Sequence, residues 1–311
     1  MHPKYPHMFS PLKLGPIEIP NRFYFSPHGT ALTVGTKPSD DYTAYNVERV
    51  KAGGCGLVIT SLVVHDRGLI YQPSPYRREN ISSFRALADG VHAAGGMVFG
   101  QLWYWWGTYG QWQPLGPPAP SLSASAVQTS WAERSISTHE MTGDEIQTMI
   151  DAYRHSTAHL CEAGFDGVEL HAAHAAILEH FVSPYFNRRN DEYGGSLENR
   201  MRVLVEALQA AREGADGKLA VGMRFNCDEM MPGGYGMTGA REILKKICDA
   251  ELIDFVDLDV AVEPNQLGIG MPPVFVEPQV YRPYVEAVRG AAGKVPVLSV
   301  LGRLTSIADG E

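Results

Sequence analysis

The sequence is short of the features that would make a nucleic-acid binder, a membrane protein or a metal-cluster carrier. Basic residues are outnumbered: 26 lysines and arginines stand against 35 aspartates and glutamates, a formal charge of −9. A chain of that sign without a basic stripe is a poor partner for phosphates. Cysteine is scarce, and Cys55, Cys161, Cys227 and Cys248 are far apart. That spacing excludes a C-x-x-C zinc or iron–sulfur cage. So few thiols in so long a chain read as reduced ones in a cytoplasmic setting, not as a disulfide framework. No apolar run approaches the ~20 residues of a membrane span. The opening MHPKYPHMFSPLKLG lacks the apolar core of a signal peptide. No G-x-G-x-x-G follows the first strand pattern, which weighs against an open dinucleotide-binding sheet.

What is present is a chain of 311 residues, 44% hydrophobic and 20% charged, enough for a large core and too apolar to be disordered. One pattern recurs along it. A short apolar or β-branched run is followed by a longer segment of helical periodicity. The runs Phe23–Ser26, Gly56–Ser61, Met97–Gln101, Gly167–His171, Leu219–Phe225, Phe255–Val260 and Val297–Val300 read as strands. Between them, Asp41–Ala52, Ile81–Ala94, Gly143–Ala163, Leu197–Glu213, Gly239–Ala250 and Pro278–Ala292 read as helices. Thr142 and Glu145 have the spacing of a capping box. Strand–helix alternation at this spacing predicts an α/β fold with a parallel sheet, and the number of repeats favours a TIM (β/α)8 barrel. A closed barrel needs eight strands, and only Leu304–Glu311 follow the seventh. The expectation is one barrel domain over 1–311 that lacks its eighth strand at the C-terminus.

Several polar residues fall at strand ends, where barrel active sites form. His171 and His174 stand three apart where the fourth strand turns. Both imidazoles can face one pocket and hydrogen-bond a carbonyl or carboxylate oxygen. They can also be two buried histidines satisfied by backbone, or ligands to a metal, although no third ligand stands at convincing spacing. Gln101 ends the third strand and offers a donor and an acceptor to a ring edge. Arg224 ends the fifth and supplies a fixed positive charge. Each could equally pair with a neighbouring strand. Gly302-Arg303 follows the seventh strand, where barrels often hold phosphate. Trp103, Tyr104, Trp105 and Trp106 make an aromatic run able to wall an apolar or quaternary ammonium substrate, or to pack as core. The segments Trp103–Thr138 and Val182–Asn199 read as long loops, a length that favours function over plain connection.

Taken together these positions resemble the flavin-dependent old yellow enzyme family (NADH:flavin oxidoreductases), in the branch of 2,4-dienoyl-CoA reductase and trimethylamine dehydrogenase. The most specific stretch is GFDGVELHAAHAAILEHFVSPYFNRRNDEYGGSLENRMR, Gly164 to Arg202. FSPLKLG, NRFYFSPHG, QLW at Gln101, PSLSAS at Pro120, MRF at Met223 and LGR at Leu301 follow the family's order. The resemblance implies non-covalent FMN across the C-terminal mouth of a barrel. It implies Pro27, His28, Gly29 and Thr30 at the isoalloxazine edge, Gln101 at the pyrimidine edge, Arg224 by N1 and O2, and Gly302 and Arg303 at the phosphate. His171 and His174 match the family's substrate-anchoring pair, and with Arg224 they form the expected catalytic set. NAD(P)H is the implied reductant.

The departures from the family are specific. The tyrosine that donates a proton in ene-reductases falls at Ala176. The covalent flavin cysteine of the amine dehydrogenases falls at Gly29, and one of their aromatic residues at Leu62. With Trp103, Tyr104 and Trp106, Leu62 and Ala176 are the expected substrate-lining positions. The iron–sulfur cysteines and C-terminal domains of the long branch have no counterpart, so no iron–sulfur cluster is expected in this chain, which reads as the barrel portion of a longer protein or as a homo-oligomer. The leading expectation is an FMN oxidoreductase of the enoate or dienoyl reductase type acting on a small molecule. The alternatives are an oxidative dehydrogenase or N-demethylase of methylated amines or betaines, a non-catalytic barrel that binds or assembles, and a metal-dependent hydrolase built on the histidine pair.

Overall fold

The computed structural model describes residues 3–65, 72–104, 121–131, 134–261 and 272–311. Seven strands make one parallel sheet: β1 (Tyr24–Phe25), β2 (Leu57–Val63), β3 (Met97–Trp103), β4 (Gly167–Ala172), β5 (Ala220–Asn226), β6 (Phe255–Asp259) and β7 (Val297–Leu298). Each strand pairs only with its neighbours in sequence, from β1 at one edge to β7 at the other. The sheet curls strongly. Arg224 on β5 donates to Ser26 just past β1 at 2.9 Å, and Tyr24 on β1 donates to Asp257 on β6 at 3.0 Å, both across the interior. This is a TIM-barrel-like wall. Among the described residues no eighth strand joins β7 to β1.

The helices are α1 (Asp40–Val50), α2 (Ile81–Ala93), α3 (Gly143–Ala163), α4 (Ile177–Val182), α5 (Leu197–Ala215), α6 (Met237–Asp249) and α7 (Arg282–Val288). Their ends follow local chemistry. Thr142 and Glu145 cap α3 reciprocally, with the Thr142 N–H donating to Glu145 at 2.8 Å, and Gly164 ends it at φ +88. Ser39 and Ser196 cap α1 and α5. The sequence pattern missed α4, which is too short to show a period. The segment after β3 also holds more than a loop. Ser121–Ser123, Gln128–Trp131 and Arg134–Glu140 form a small three-stranded sheet.

Two layers divide the interior. At the floor Leu57, Ile59, Phe99, Ala220, Phe255 and Leu298 cluster with Leu14 and Ile19 of an N-terminal hairpin, Leu12–Leu14 paired with Ile17–Ile19. The Phe99 and Phe255 rings meet at 5.3 Å. They fit because Gly167 and Gly222 lack side chains: a Cβ on Gly222 would lie 2.5 Å from the Phe255 ring, and one on Gly167 2.7 Å from Phe99. Above this apolar floor the inward positions turn polar.

The segment Val182–Asn199 is tied down from several directions. Asn187 donates to the carbonyls of Phe181 and Tyr193 at 2.6 and 2.7 Å. Arg189 is buried and donates to the carbonyls of Ala124 and Met141 at 3.0 and 2.7 Å. The most specific stretch of the sequence is therefore largely a latch that holds the mouth of the sheet to the small three-stranded sheet.

Candidate functional site

Side chains alternate along a strand, so residues two apart share a face. That rule builds the polar layer. Gln101 on β3, Glu169 and His171 on β4, Arg224 on β5, and Asp257 and Asp259 on β6 all face inward near the C-terminal end of the sheet. Gln101 donates through its amide nitrogen to Glu169 at 2.7 Å. Arg224 is the hub. Its Nε donates to Asp259 Oδ2 at 2.9 Å and Nη2 makes a second, shorter contact to the same oxygen. Nη1 donates to Ser26 and lies 3.7 Å from Asp257 Oδ2.

His171 and His174 meet with ring centroids 5.3 Å apart and planes at 70°. His174 Nε2 lies 3.2 Å from Asp259 Oδ2, the oxygen that also receives Arg224. The turn bearing His174 is tight. The Ala176 N–H donates to the Ala173 carbonyl at 3.0 Å, and His174 and Ala175 both have positive φ, +55 and +58. That is the backbone of a type I′ turn made without glycine, a strained arrangement typical of sites where a side chain must be aimed.

The charges do not balance. One guanidinium faces three buried carboxyl groups. Burial would raise the pKa of Asp259, but Arg224 and His174 outweigh it and hold this carboxyl well below the usual carboxylate range. Burial pushes Asp257 up to about 6 against the pull of Arg224. Burial, with the charge of Asp257 behind it, pushes Glu169 up to about 8. Glu169 therefore keeps its proton at neutral pH, and the layer carries less negative charge than its composition suggests. Burial, with His174 and Arg224 nearby, pushes the His171 pKa well down, so that ring is neutral. Its Nδ1 has no hydrogen-bond partner among the described residues.

The remaining expected site residues are placed as follows. Ser26 and Pro27 continue β1 into the mouth. His28 bonds the Tyr45 hydroxyl at 2.7 Å, and Thr30 accepts from the Leu32 N–H at 3.3 Å. Gly29 is exposed on the rim, where a Cβ would meet the flexible end of the Gln72 side chain, Nε2 at 2.6 Å. Gly302 has φ +65, and its Cβ would meet Val280 at 2.8 Å. Arg303 donates to the carbonyls of Pro273 and Val276 at 2.8 and 2.5 Å. Trp103 is buried and donates to Ser61 at 3.1 Å, and Tyr104 is buried against the helices. Leu62, expected to line substrate, is fully buried in the sheet–helix layer. It falls between Ser61 and Val63, and alternation turns it away from the interior. Ala176 is buried at the start of α4. Trp106 lies outside the described residues.

A flavin can be tested against this arrangement. The pyrimidine edge of an isoalloxazine presents N–H and C=O groups. Gln101, whose amide nitrogen is held by Glu169, keeps its amide oxygen as the acceptor for that edge. Arg224 stands beside it as a fixed cation, and the backbone from Ser26 to Thr30 lines the rim. These donors and acceptors fit the ring. Gly302, expected at the phosphate, is buried and its carbonyl accepts the Gln279 N–H at 2.8 Å, while Arg303 is engaged with carbonyls. Among the described residues no group of three or more His, Cys, Asp or Glu side chains could hold a metal ion, and no helix is long and apolar enough to cross a membrane.

The sequence pattern named the histidines, Gln101 and Arg224. It missed Tyr24, Glu169, Asp257 and Asp259. The signal was available in FVDLD, where two aspartates two apart on a strand must share one face.

The chain matches the NADH:flavin oxidoreductase / NADH oxidase family over residues 7–295. It is 30% identical over 207 residues to a putative 12-oxophytodienoate reductase-like protein of Arabidopsis thaliana, covering 65% of this chain and 77% of that protein. It is 32% identical over 258 residues to an N,N-dimethylglycine/sarcosine dehydrogenase of Chromohalobacter salexigens, covering 80% of this chain and 36% of that protein. Among solved structures, a 2-naphthoyl-CoA reductase in complex with 2-naphthoyl-CoA superposes with a TM-score of 0.86 at 25% identity, covering 95% of this chain and 46% of that one. The chain thus spans less than half the length of the last two proteins.

Proposed function

Because the chain belongs to the NADH:flavin oxidoreductase / NADH oxidase family, we propose that it binds FMN non-covalently at the C-terminal mouth of its sheet and passes hydride between flavin and a small organic substrate. The observation that carries this reading is the convergence of His171, His174, Gln101 and Arg224 on one polar layer above a packed floor.

Bound FMN supplies a ring that accepts and donates hydride at N5. The chain's own groups do the rest. Gln101 reads the pyrimidine edge with its amide oxygen. Arg224 supplies positive charge where negative charge develops at N1 and O2. Its bonds to Asp259 and Ser26 fix the guanidinium in place, so little reorganisation is needed. His171, neutral, and His174, paired with Asp259, hold an electron-poor carbonyl or carboxylate of the substrate. Ala176 offers no proton, and Tyr104 is buried against the helices, so in alkene reduction the proton comes from water. NAD(P)H is the reductant in this direction.

A second reading, oxidation of a methylated amine or betaine, is favoured by the likeness to an N,N-dimethylglycine/sarcosine dehydrogenase. The visible spectrum of the purified protein tests the common premise. Flavin bands near ~450 nm that pass to the supernatant on heating support it. A colourless protein that takes up no added FMN overturns it. Anaerobic bleaching by an N-methylated amine without NAD(P)H selects the second reading, and bleaching by NAD(P)H with reoxidation by an enone selects the first.

A further inference from the structure

We propose that Glu179 is the positioning residue of the substrate site: its carboxyl clamps the His174–Ala175 turn to the end of β5, beside Asp259, and so sets the His174–Asp259 pair. The proposal rests on the reading of His174 as a substrate anchor, and it concerns a residue outside the polar layer.

Glu179 is the third residue of α4 and is 1% exposed. One carboxyl oxygen accepts the Ala175 N–H at 2.6 Å. The other accepts Asn226 Nδ2 at 2.6 Å and the Tyr235 hydroxyl at 3.0 Å. Asn226 Nδ2 donates in turn to the Ala261 carbonyl at 3.1 Å. Asn226 is also the register partner of Asp259 across β5 and β6. One carboxyl therefore grips the residue after His174 on one side. On the other it grips the side chain directly across the sheet from Asp259. A glutamate at the third position of a helix commonly reaches back to a free N–H at the helix start. Here it reaches one residue further, to the second of two consecutive left-handed residues. A turn of two non-glycine residues at positive φ persists only where its surroundings over-determine it, and this bond is the side-chain contact that does so.

The arrangement is costly to bury. The nearest charged partner is another carboxyl, Glu229, which accepts the Ser183 hydroxyl at 3.0 Å and the Tyr235 N–H at 2.5 Å. Burial and the charge of Glu229 push the Glu179 pKa well up. A hydrophobic side chain would fill the space without that cost, so the carboxyl is there for its acceptors.

The test has two arms. The first reads amide hydrogen exchange by NMR and needs no flavin. Glu179→Leu removes both acceptors. Glu179→Asp keeps a carboxyl but draws it back by one carbon. Both should speed exchange at Ala175 at least tenfold and leave Leu170 within β4 unchanged. Glu179→Gln keeps an oxygen for Ala175 and should hold exchange near the wild-type rate. If the leucine variant does not fold, the aspartate variant decides. Unchanged Ala175 exchange in the folded variants overturns the proposal, and so does a loss of protection that extends equally to Leu170.

The second arm uses the flavin-loaded protein and cyclohex-2-enone as probe, read by the perturbation of flavin absorbance. Glu179→Asp should weaken probe binding at least fivefold in the wild-type background and less than twofold in a His174→Ala background. Equal effects in both backgrounds overturn the claim that Glu179 acts through His174. If the unaltered protein takes up no FMN, the oxidoreductase reading fails, and the exchange arm still decides whether Glu179 clamps the turn.

Discussion

Replacing Glu169 by glutamine should flatten the pH dependence of folding stability. The carboxyl is fully buried, bonded to Gln101 at 2.7 Å, and its second oxygen has no partner among the described residues. Burial and the charge of Asp257 raise its pKa from 4.5 to about 8. The native state therefore holds a proton that the unfolded chain releases near its ordinary carboxylate pKa. Stability must fall as pH climbs through that window, by at most about 1.4 kcal/mol per pH unit. Between pH 5 and pH 8 the ceiling is about 4 kcal/mol, and sharing of the proton with Asp257 reduces this to roughly 2–3 kcal/mol. Glutamine keeps an oxygen for Gln101 and cannot ionise. Urea unfolding of both proteins at pH 5, 6, 7 and 8 gives the two slopes. The glutamine variant should gain on the wild type steadily over this range. Parallel curves would mean that Glu169 is ionised in the native state, and that the charge balance of the polar layer has been misread.

Three further outcomes follow from the packing and the polar layer. Arg224→Ala leaves Asp259 and Asp257 facing each other without a cation; it should cost about 3–5 kcal/mol of stability and weaken FMN uptake, measured by thermal melting and by flavin fluorescence titration. Gly222→Ala places a methyl 2.5 Å from the Phe255 ring, and urea unfolding should show a loss of about 1–3 kcal/mol. Thr142→Ala removes one half of the α3 capping box and should cost about 1 kcal/mol in the same assay, with FMN uptake unchanged.

The wall of the barrel was legible because its signals are local. The inner parallel strands, such as β2 and β5, are buried on both faces and read as short apolar runs. The helices between them carry caps such as Thr142 and stops such as Gly164. The helix α4 was not legible, since six residues of ILEHFV show no period. The small sheet after β3 was hidden because its strands are short and polar. In the site, His171, His174, Gln101 and Arg224 stood out by residue type and position. The partners that decide their chemistry did not. Asp259 lies 35 residues from Arg224 in sequence, and Tyr24 lies 233 residues from Asp257. The first pairing exists only once β5 and β6 have met, and the second only once the sheet has curled. Leu62 illustrates the opposite error: a likeness of position suggested a pocket residue, and strand alternation turns it into the helix layer. The motif SPYFNRRNDEYGGSLENR, the most specific in the chain, serves mainly to anchor Arg189 and Asn187 on backbone carbonyls.

The hairpin that seals the floor has a consequence for synthesis. Leu14 and Ile19 are made well before Ala220 on β5 and Phe255 on β6, which share their apolar cluster. Gly15 abuts Asp254 so closely that a Cβ would lie 2.5 Å away. At translation rates of about 5–20 residues per second the hairpin waits on the order of 10–50 s for the segment it docks on. During that interval Leu12, Leu14, Ile17 and Ile19 lack part of the apolar surface they pack against. The walls of the sheet have to rise before their base can be fitted.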